Sequence, residues 1–415
     1  MSTDVEILQP DITVGTAGHV EAGKSTLIWA LTKVWTFKYS EEIERGITIK
    51  LGYADTSIRY CPDHGDMGWT TGELSGDTCP LCGKKTRLVR KVSFLDSPGH
   101  EMLMATMLTG TALMDSAILV IAANEPCPRP QTREHLHALK IAGITGDRLL
   151  VVQSKVELVS KEDAKNNYNQ IVNFLNSYGY YDVPVIPVSS VFRANIDIVA
   201  RELAKLPQSD KDPNAPPLAY TSRSFDVNKP GTAPENLYGG VVGGSIVRGV
   251  LRVGDEILIS PGIVEKDKWT PLSTKIASLK LQSGEALMEA KPGGLIGIGT
   301  YLDPSVTRAD NLAGQIITHP DNPPIVQTEL TITPNLMDRV IGSEHEEKIE
   351  SIKQGMRLVL HSATSVSVGE VTNKVGDKLE LKLLRPLPII KGNKVTLSMK
   401  LGSGWRLIGW GTPVV

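Results

Sequence analysis

The sequence predicts an α/β domain followed by two all-β barrel domains. Three observations carry this expectation. Continuous apolar strands alternate with helical segments in the first half, the pattern of a parallel sheet covered on both faces. A polar, Pro-rich stretch, Pro207-Gln208-Ser209-Asp210-Lys211-Asp212-Pro213-Asn214-Ala215-Pro216-Pro217, then interrupts the chain and cannot continue a helix. Beyond it, short strands with period-two alternation and Gly turns take over, as in all-β modules of about 100 residues.

Taken in order, Ile12-Thr13-Val14 reads as a strand, followed by a Gly-rich turn and a helix from about Ser25 to Lys33. Val92-Ser93-Phe94-Leu95, Ile118-Leu119-Val120-Ile121, Leu149-Leu150-Val151-Val152 and Val185-Ile186-Pro187-Val188 complete the sheet. In the second half Val250-Leu251-Arg252-Val253, Glu256-Ile257-Leu258-Ile259, Lys378-Leu379-Glu380-Leu381-Lys382-Leu383 and Val395-Thr396-Leu397-Ser398-Met399 read as strands. The expected domains are 1–207, with a polar insertion at about 57–91, then 215–322 and 323–415, the last boundary falling near Asp321-Asn322-Pro323-Pro324.

The composition narrows the functional classes. The 415 residues are 41% apolar and 22% charged, with a net charge of −2, which excludes disordered and collagen-like chains. Near-neutrality argues against non-specific coating of DNA, which needs a large positive surplus. Four cysteines are too few for a secreted disulfide scaffold. Met1 to Pro10 has no basic, apolar leader pattern, and the run Ala117 to Ala123 is too short to span a bilayer. The expectation is a cytoplasmic, multidomain protein with no membrane partner.

Gly18-His19-Val20-Glu21-Ala22-Gly23-Lys24-Ser25 fits G-x-x-x-x-G-K-[ST] between a strand and a helix, the context this phosphate loop requires. Its glycines let main-chain N–H groups curl around phosphate oxygens. Gly18, Glu21, Ala22, Gly23 and Thr26 belong to that cradle, Lys24 would neutralise the β and γ phosphates, and the Ser25 hydroxyl would ligate Mg²⁺. Asp96-Ser97-Pro98-Gly99-His100 follows a strand. Asp96 there can hold Mg²⁺, Gly99 can present main chain to a γ-phosphate, and His100 can orient an attacking water.

These two motifs together resemble the translational GTPases, and so imply an α/β P-loop GTPase domain that binds GTP and GDP with Mg²⁺. Glu44-Arg45-Gly46-Ile47-Thr48-Ile49 is similar to their first switch, in which a threonine closes on Mg²⁺; Thr48 is the match. The family reads guanine with N-K-x-D after the fourth strand, where this chain has Ser154-Lys155-Val156-Glu157. Lys155 can pack its stem on the base. Glu157 can accept the two guanine N–H donors, its extra methylene shifting the carboxylate by about an ångström. Ser154 is a weaker replacement for the amide, and weakening one charge-assisted bond would cost about 1–3 kcal/mol. The supporting loop is Ser189-Ser190-Val191.

Cys61-Pro62-Asp63-His64-Gly65 and Cys79-Pro80-Leu81-Cys82-Gly83 are two similar knuckles, each offering two ligands separated by two residues. Cys61, His64, Cys79 and Cys82 form a Cys₃His set suited to a structural tetrahedral Zn²⁺; a metal-free loop with free thiols is the alternative. Cys127 reads as a lone thiol. Lys84, Lys85, Arg87, Arg90 and Lys91 form a basic cluster, more simply a solvated face than a nucleic-acid contact.

Longer strings resemble the gamma subunit of the archaeal and eukaryotic translation initiation factor 2. Among them are Ile47-Thr48-Ile49-Lys50-Leu51-Gly52-Tyr53-Ala54, Asn124-Glu125-Pro126-Cys127-Pro128-Arg129-Pro130-Gln131-Thr132 and Trp405-Arg406-Leu407-Ile408-Gly409-Trp410-Gly411. The resemblance implies carriage of initiator methionyl-tRNA to the small ribosomal subunit, within a heterotrimer with alpha and beta subunits. It also implies a GTPase that is slow unless partners activate it. A specialised elongation factor delivering an aminoacyl-tRNA is the rival within the class. A non-hydrolysing nucleotide-binding scaffold, motivated by Ala22, Ser154 and Glu157, is the rival outside it.

Overall fold

The computed structural model describes residues 9–36, 42, 48–100, 103–208, 210–337, 349, 351–401 and 404–414. The Glu44-Arg45-Gly46-Ile47 part of the expected switch lies outside them, as do residues 1–8 and Ser209. The chain forms two compact units, one of Met1–Met107 with Met114–Ser209 and one of Leu108–Leu113 with Asp210–Val415.

The first unit is built on a seven-stranded sheet. Its strands are β1 (Ile12–Ala17), β2 (Gly52–Tyr60), β3 (Trp69–Thr71), β4 (Arg87–Asp96), β5 (Ser116–Ala122), β6 (Leu149–Ser154) and β7 (Val185–Pro187), in the order β3-β2-β4-β1-β5-β6-β7. From β4 to β7 the strands are parallel; β2 and β3 add antiparallel edges. The five apolar runs expected to be strands all lie in this parallel portion. β2 and β3 were not expected, because their sequence alternates buried and half-exposed residues instead of forming an apolar run.

Helices α1 (Lys24–Thr32), α2 (Met104–Thr111), α3 (Pro130–Ile141), α4 (Lys161–Ser177) and α5 (Ile196–Lys205) follow strands β1, β4, β5, β6 and β7. Local chemistry explains their ends. Ser160 caps α4, its hydroxyl accepting the Asp163 N–H, which satisfies one orphan donor of the first turn. In α5, Ile196, Val199, Ala200 and Leu203 recur at helical spacing and are buried. They join Ile12, Val14, Phe94, Ile118, Val120, Leu150 and Val152 in one core. The loops that carry the expected phosphate- and base-contacting residues leave the carboxyl ends of β1, β4 and β6, where open α/β sheets bind ligands.

In the second unit, residues 218–318 carry a seven-stranded antiparallel sheet and a small two-stranded one, Leu251–Arg252 with Glu289–Ala290. An additional pairing between the strands Glu256–Glu265 and Lys268–Leu281 closes six of the seven strands into a ring, and Ala286–Leu287 extends from it. Residues 325–413 form a closed six-stranded barrel. Separate apolar cores fill the two, one around Val242, Ile257, Leu279 and Ile298, the other around Ile332, Leu360, Leu381 and Leu397. All-β modules follow the Pro-rich stretch, as expected, and the expected strands at 256–259, 378–383 and 395–399 lie within observed ones.

Candidate functional site

The loop between β1 and α1 is a tight main-chain curl. Gly18 has φ of 136°, and a Cβ there would meet the Val120 carbonyl oxygen at 2.2 Å, so only glycine fits. Gly23 has φ of 94° at the N-cap of α1, again a conformation that favours glycine. Lys24 is buried and donates to the carbonyls of Gly18 (3.0 Å) and His19 (2.7 Å). Burial pushes its pKa down to about 8, against the opposing pull of Asp96; it remains a cation at neutral pH. Gly99 closes over it: a Cβ on Gly99 would lie 2.5 Å from the Lys24 Nζ and 2.7 Å from the His19 carbonyl.

Asp96, at the end of β4, is fully buried and gathers four hydroxyls. Thr16 donates to Oδ1 at 2.9 Å. Ser25, Thr36 and Thr48 approach Oδ2 at 2.5, 2.6 and 3.3 Å. Ser25 and Thr48 hydroxyl oxygens are 3.2 Å apart. Three hard oxygen donors from α1, the first switch segment and β4 thus converge on one point, the donor chemistry Mg²⁺ prefers beside a phosphate. Glu42 fixes the chain beside Thr48 by accepting the N–H groups of Ile49 (3.0 Å) and Lys50 (2.9 Å).

Val20, Glu21, Gly23, Lys24, Ser25, Thr26, Thr48, Gly99, His100 and Lys155 line a cavity of about 260 Å³. Most residues expected at the phosphate end therefore meet around one space. The base end is looser. Ser154 is buried and turns inward, donating to the Ala22 carbonyl at 2.5 Å with the Ile121 carbonyl at 3.3 Å. A hydroxyl carries one proton, so Ser154 ties the phosphate loop to β6 and retains no donor for a base. Lys155 adopts a left-handed conformation (φ 57°) and reaches the cavity, whereas Glu157 is exposed on the turn that follows, Val156–Leu158. Val156 donates its N–H to the Val188 carbonyl at 3.5 Å, joining this turn to the Ser189-Ser190-Val191 loop. Ser189 accepts the Phe192 N–H at 3.3 Å. The buried Ser190 hydroxyl has no hydrogen-bond partner among the described residues, and Val191 is exposed.

Sequence reasoning missed a support beneath the phosphate loop. His135 of α3 accepts the Gly18 N–H through Nδ1 at 2.9 Å; burial drives its pKa down to about 3, so it stays neutral and able to accept. His19 Nε2 lies 2.7 Å from Glu125, which also accepts from Arg129 at 2.8 Å. Burial lowers the His19 pKa to about 4, overriding Glu125. Thr36 was also missed. More than a hundred residues separate the loop from Glu125 and His135, and no local signal links them.

The four expected metal ligands do come together. The ligand atoms of Cys61, His64, Cys79 and Cys82 all lie within 4.8 Å of one another. The Cys61 and Cys82 sulfurs are 3.8 Å apart, the edge of a tetrahedron with Zn–S bonds of about 2.3 Å. The His64 Nε2 is buried with no hydrogen-bond partner among the described residues, as a nitrogen reserved for a metal would be. Gly65 (φ 50°) and Gly83 (φ 72°) make the knuckle turns. Cys127 stays apart; its N–H donates to the Gln170 side chain, and burial raises its thiol pKa to about 12. Of the basic cluster, Lys84 pairs with Asp63, and Arg90 bonds Asp11 and the Leu206 carbonyl.

Comparison with known proteins follows this geometry. Residues 9–209 match the elongation factor Tu GTP binding domain family, 239–318 elongation factor Tu domain 2, and 328–413 the C-terminal domain of initiation factor eIF2 gamma. The chain is 48% identical to translation initiation factor 2 subunit gamma of Archaeoglobus fulgidus over 98% of its own length and 95% of that protein's. It is 48% identical to the Pyrococcus horikoshii protein of the same name, over 97% of each chain. Against that of Methanocaldococcus jannaschii the figure is 47%, over 99% of each. Among solved structures, the bacterial selenocysteine-specific elongation factor EF-Sec shares the fold at a TM-score of 0.73 and 22% identity, over 98% of this chain and 58% of that one. Elongation factor SelB from Methanococcus maripaludis, in complex with GppNHp, shares it at 0.70 and 18%, over 98% and 79%.

Proposed function

Because the chain belongs to the family of translation initiation factor 2 gamma subunits, we propose that it carries initiator methionyl-tRNA to the small ribosomal subunit in its GTP state. In this reading it works within a heterotrimer with alpha and beta subunits, and GTP hydrolysis ends the delivery. The chain is a GTP-binding translation factor subunit of the translational GTPase family. The observation that supports the switch is the buried Asp96 carboxylate, which holds Ser25 of the phosphate loop and Thr48 of the first switch within hydrogen-bond reach of one another.

The residue roles follow from their chemistry. A triphosphate enters the cavity over Lys24, whose buried ammonium leaves the Gly18 and His19 carbonyls for the β and γ phosphates. The amides of the curl from Gly18 to Thr26 and the N-terminus of α1 receive the remaining phosphate oxygens. Ser25, Thr48 and Asp96 would hold Mg²⁺, which would supply charge neutralisation to the phosphates. Gly99 brings main chain to the γ-phosphate, and His100 orients the water that attacks it. The products are GDP and phosphate. Thr48 then loses its phosphate-linked anchor. Lys155 packs on the base and Glu157 accepts from guanine N–H groups, with Ser189, Ser190 and Val191 behind them. Cys61, His64, Cys79 and Cys82 would hold Zn²⁺, which would supply structure only.

Calorimetric titration with GDP, a GTP analogue and an ATP analogue tests the nucleotide assignment. Binding of both guanine nucleotides well above the adenine one is expected. Equal binding of all three would overturn the guanine assignment. Single-turnover hydrolysis on programmed ribosomes, with and without His100→Ala, tests the water-orienting role; unchanged phosphate release would remove His100 from it.

A further inference from the structure

We propose that Thr36 is a positioning residue for magnesium: its hydroxyl, donated to Asp96 Oδ2, fixes the carboxylate in the orientation that receives the metal. The inference rests on the reading of Asp96, Ser25 and Thr48 as the magnesium-holding set.

The geometry separates Thr36 from that set. Four hydroxyls reach Asp96, and two of them, Ser25 and Thr48, are the expected ligands. The other two sit one on each oxygen: Thr16 on Oδ1 at 2.9 Å and Thr36 on Oδ2 at 2.6 Å. A donor on each oxygen fixes the plane of a carboxylate as well as its position. Thr16 itself accepts the Ser97 N–H at 3.2 Å, so its side is anchored to main chain. Thr36 supplies the corresponding restraint on the oxygen beside Ser25 and Thr48. A fully buried carboxylate oxygen needs such donors, because each one lost leaves an unsatisfied charge in a low dielectric.

The surroundings of Thr36 are built to hold it there. α1 ends at Lys33 in a left-handed conformation (φ 60°), its N–H returned to the Trp29 carbonyl at 2.8 Å. The Val34 N–H bonds the Thr32 hydroxyl at 3.1 Å. Trp35 then stacks on Trp29 with ring centroids 5.4 Å apart and planes 17° from parallel, and the Lys33 ammonium lies 4.6 Å from the Trp29 ring. This brace fixes the residue immediately before Thr36. On the other side Gly52, at the start of β2, makes the room: a Cβ there would lie 2.6 Å from the Thr36 Cβ and 3.4 Å from the Asp96 Cβ. Thr36 is 3% exposed, so water cannot replace its hydroxyl. Partners of this kind behind a metal ligand set typically change metal affinity by about 10–100-fold when removed.

The test is the Mg²⁺ dependence of release of a fluorescent GDP analogue from the full chain. Thr36→Val keeps the shape and removes the donor. It is expected to raise the Mg²⁺ concentration for half-maximal slowing of release by about tenfold, while leaving the release rate in EDTA unchanged. Thr36→Ser, which keeps the hydroxyl, should restore the original dependence. Gly52→Ala, which displaces Thr36 without altering any donor, should shift the dependence in the same direction and serves if the valine variant does not fold. A Mg²⁺ dependence in Thr36→Val equal to that of the unaltered chain overturns the proposal. So does faster release by the same factor in EDTA and in Mg²⁺, which marks a purely structural role. If the unaltered chain itself releases GDP independently of Mg²⁺, the reading of Asp96 falls, and the Thr36 proposal with it.

Discussion

The two ends of the nucleotide cavity are built differently. At the phosphate end, Lys24, Ser25, Thr48 and Asp96 are locked by hydrogen bonds of 2.5–3.3 Å, and Gly99 is packed so closely that no side chain fits. At the base end, Ser154 turns away into the phosphate loop, the Ser190 hydroxyl has no hydrogen-bond partner among the described residues, and Glu157 and Val191 are exposed. In the proposed reading the phosphate end is preorganised around charge, which every nucleoside triphosphate shares, the base end leaves discrimination to a few contacts on a less constrained surface, and affinity and selectivity are separable.

Mutations can break that comparison. The largest effect is expected from Lys24→Ala, which removes the buried ammonium that the phosphates require. Loss of one member of a buried charge pair costs about 3–5 kcal/mol, so calorimetry should show nucleotide binding weakened by at least a hundredfold, for guanine and adenine alike. Removal of zinc by a chelator comes next, and it acts on stability instead of affinity. The thiols of Cys61, Cys79 and Cys82 should become reactive, and each 1 kcal/mol lost should lower the melting temperature by about 2–4 °C; an unchanged melting curve and thiols already reactive beforehand would remove the metal from the account. Glu157→Ala should reduce guanine binding by about 1.5–3 kcal/mol while leaving an adenine analogue unaffected, which isolates selectivity. The smallest effect is expected for Ser154→Ala. Losing its bond to the Ala22 carbonyl should cost about 1 kcal/mol, equally for guanine and adenine nucleotides, because Ser154 supports the loop instead of reading the base. A guanine-specific loss there would contradict the inward placement.

The contrast between the two ends also explains what could be read from the sequence. Phosphate chemistry demands glycines, a lysine and a hydroxyl at fixed local spacing, so the phosphate loop was visible in eight consecutive residues. The same is true of the knuckles, whose paired ligands are separated by two residues. The runs in β1, β4, β5 and β6 were legible because strands buried on both faces are largely apolar, and Val185-Ile186-Pro187-Val188 because it is apolar although it lies at the edge. β2 and β3 were not, since partly exposed antiparallel strands carry a mixed sequence such as Thr56-Ser57-Ile58-Arg59. Thr36 and His135 were invisible for a different reason. Thr36 lies 60 positions from Asp96, and His135 lies 117 positions from Gly18. A threonine or histidine alone carries no spacing that announces either contact. The inward turn of Ser154 could not be read either, because a hydroxyl in place of an amide fits a base contact and a main-chain contact equally well by type.

In the proposed function the nucleotide's terminal phosphate, through Asp96 and Thr48, sets the form of the surface that holds tRNA. The decisive measurement is the affinity of the chain, assembled with the proposed partner subunits, for initiator methionyl-tRNA in the presence of a non-hydrolysable GTP analogue and of GDP. Markedly tighter binding with the analogue is expected, with loss of that difference in Thr48→Val; equal affinity in the two nucleotide states would rule the switch out.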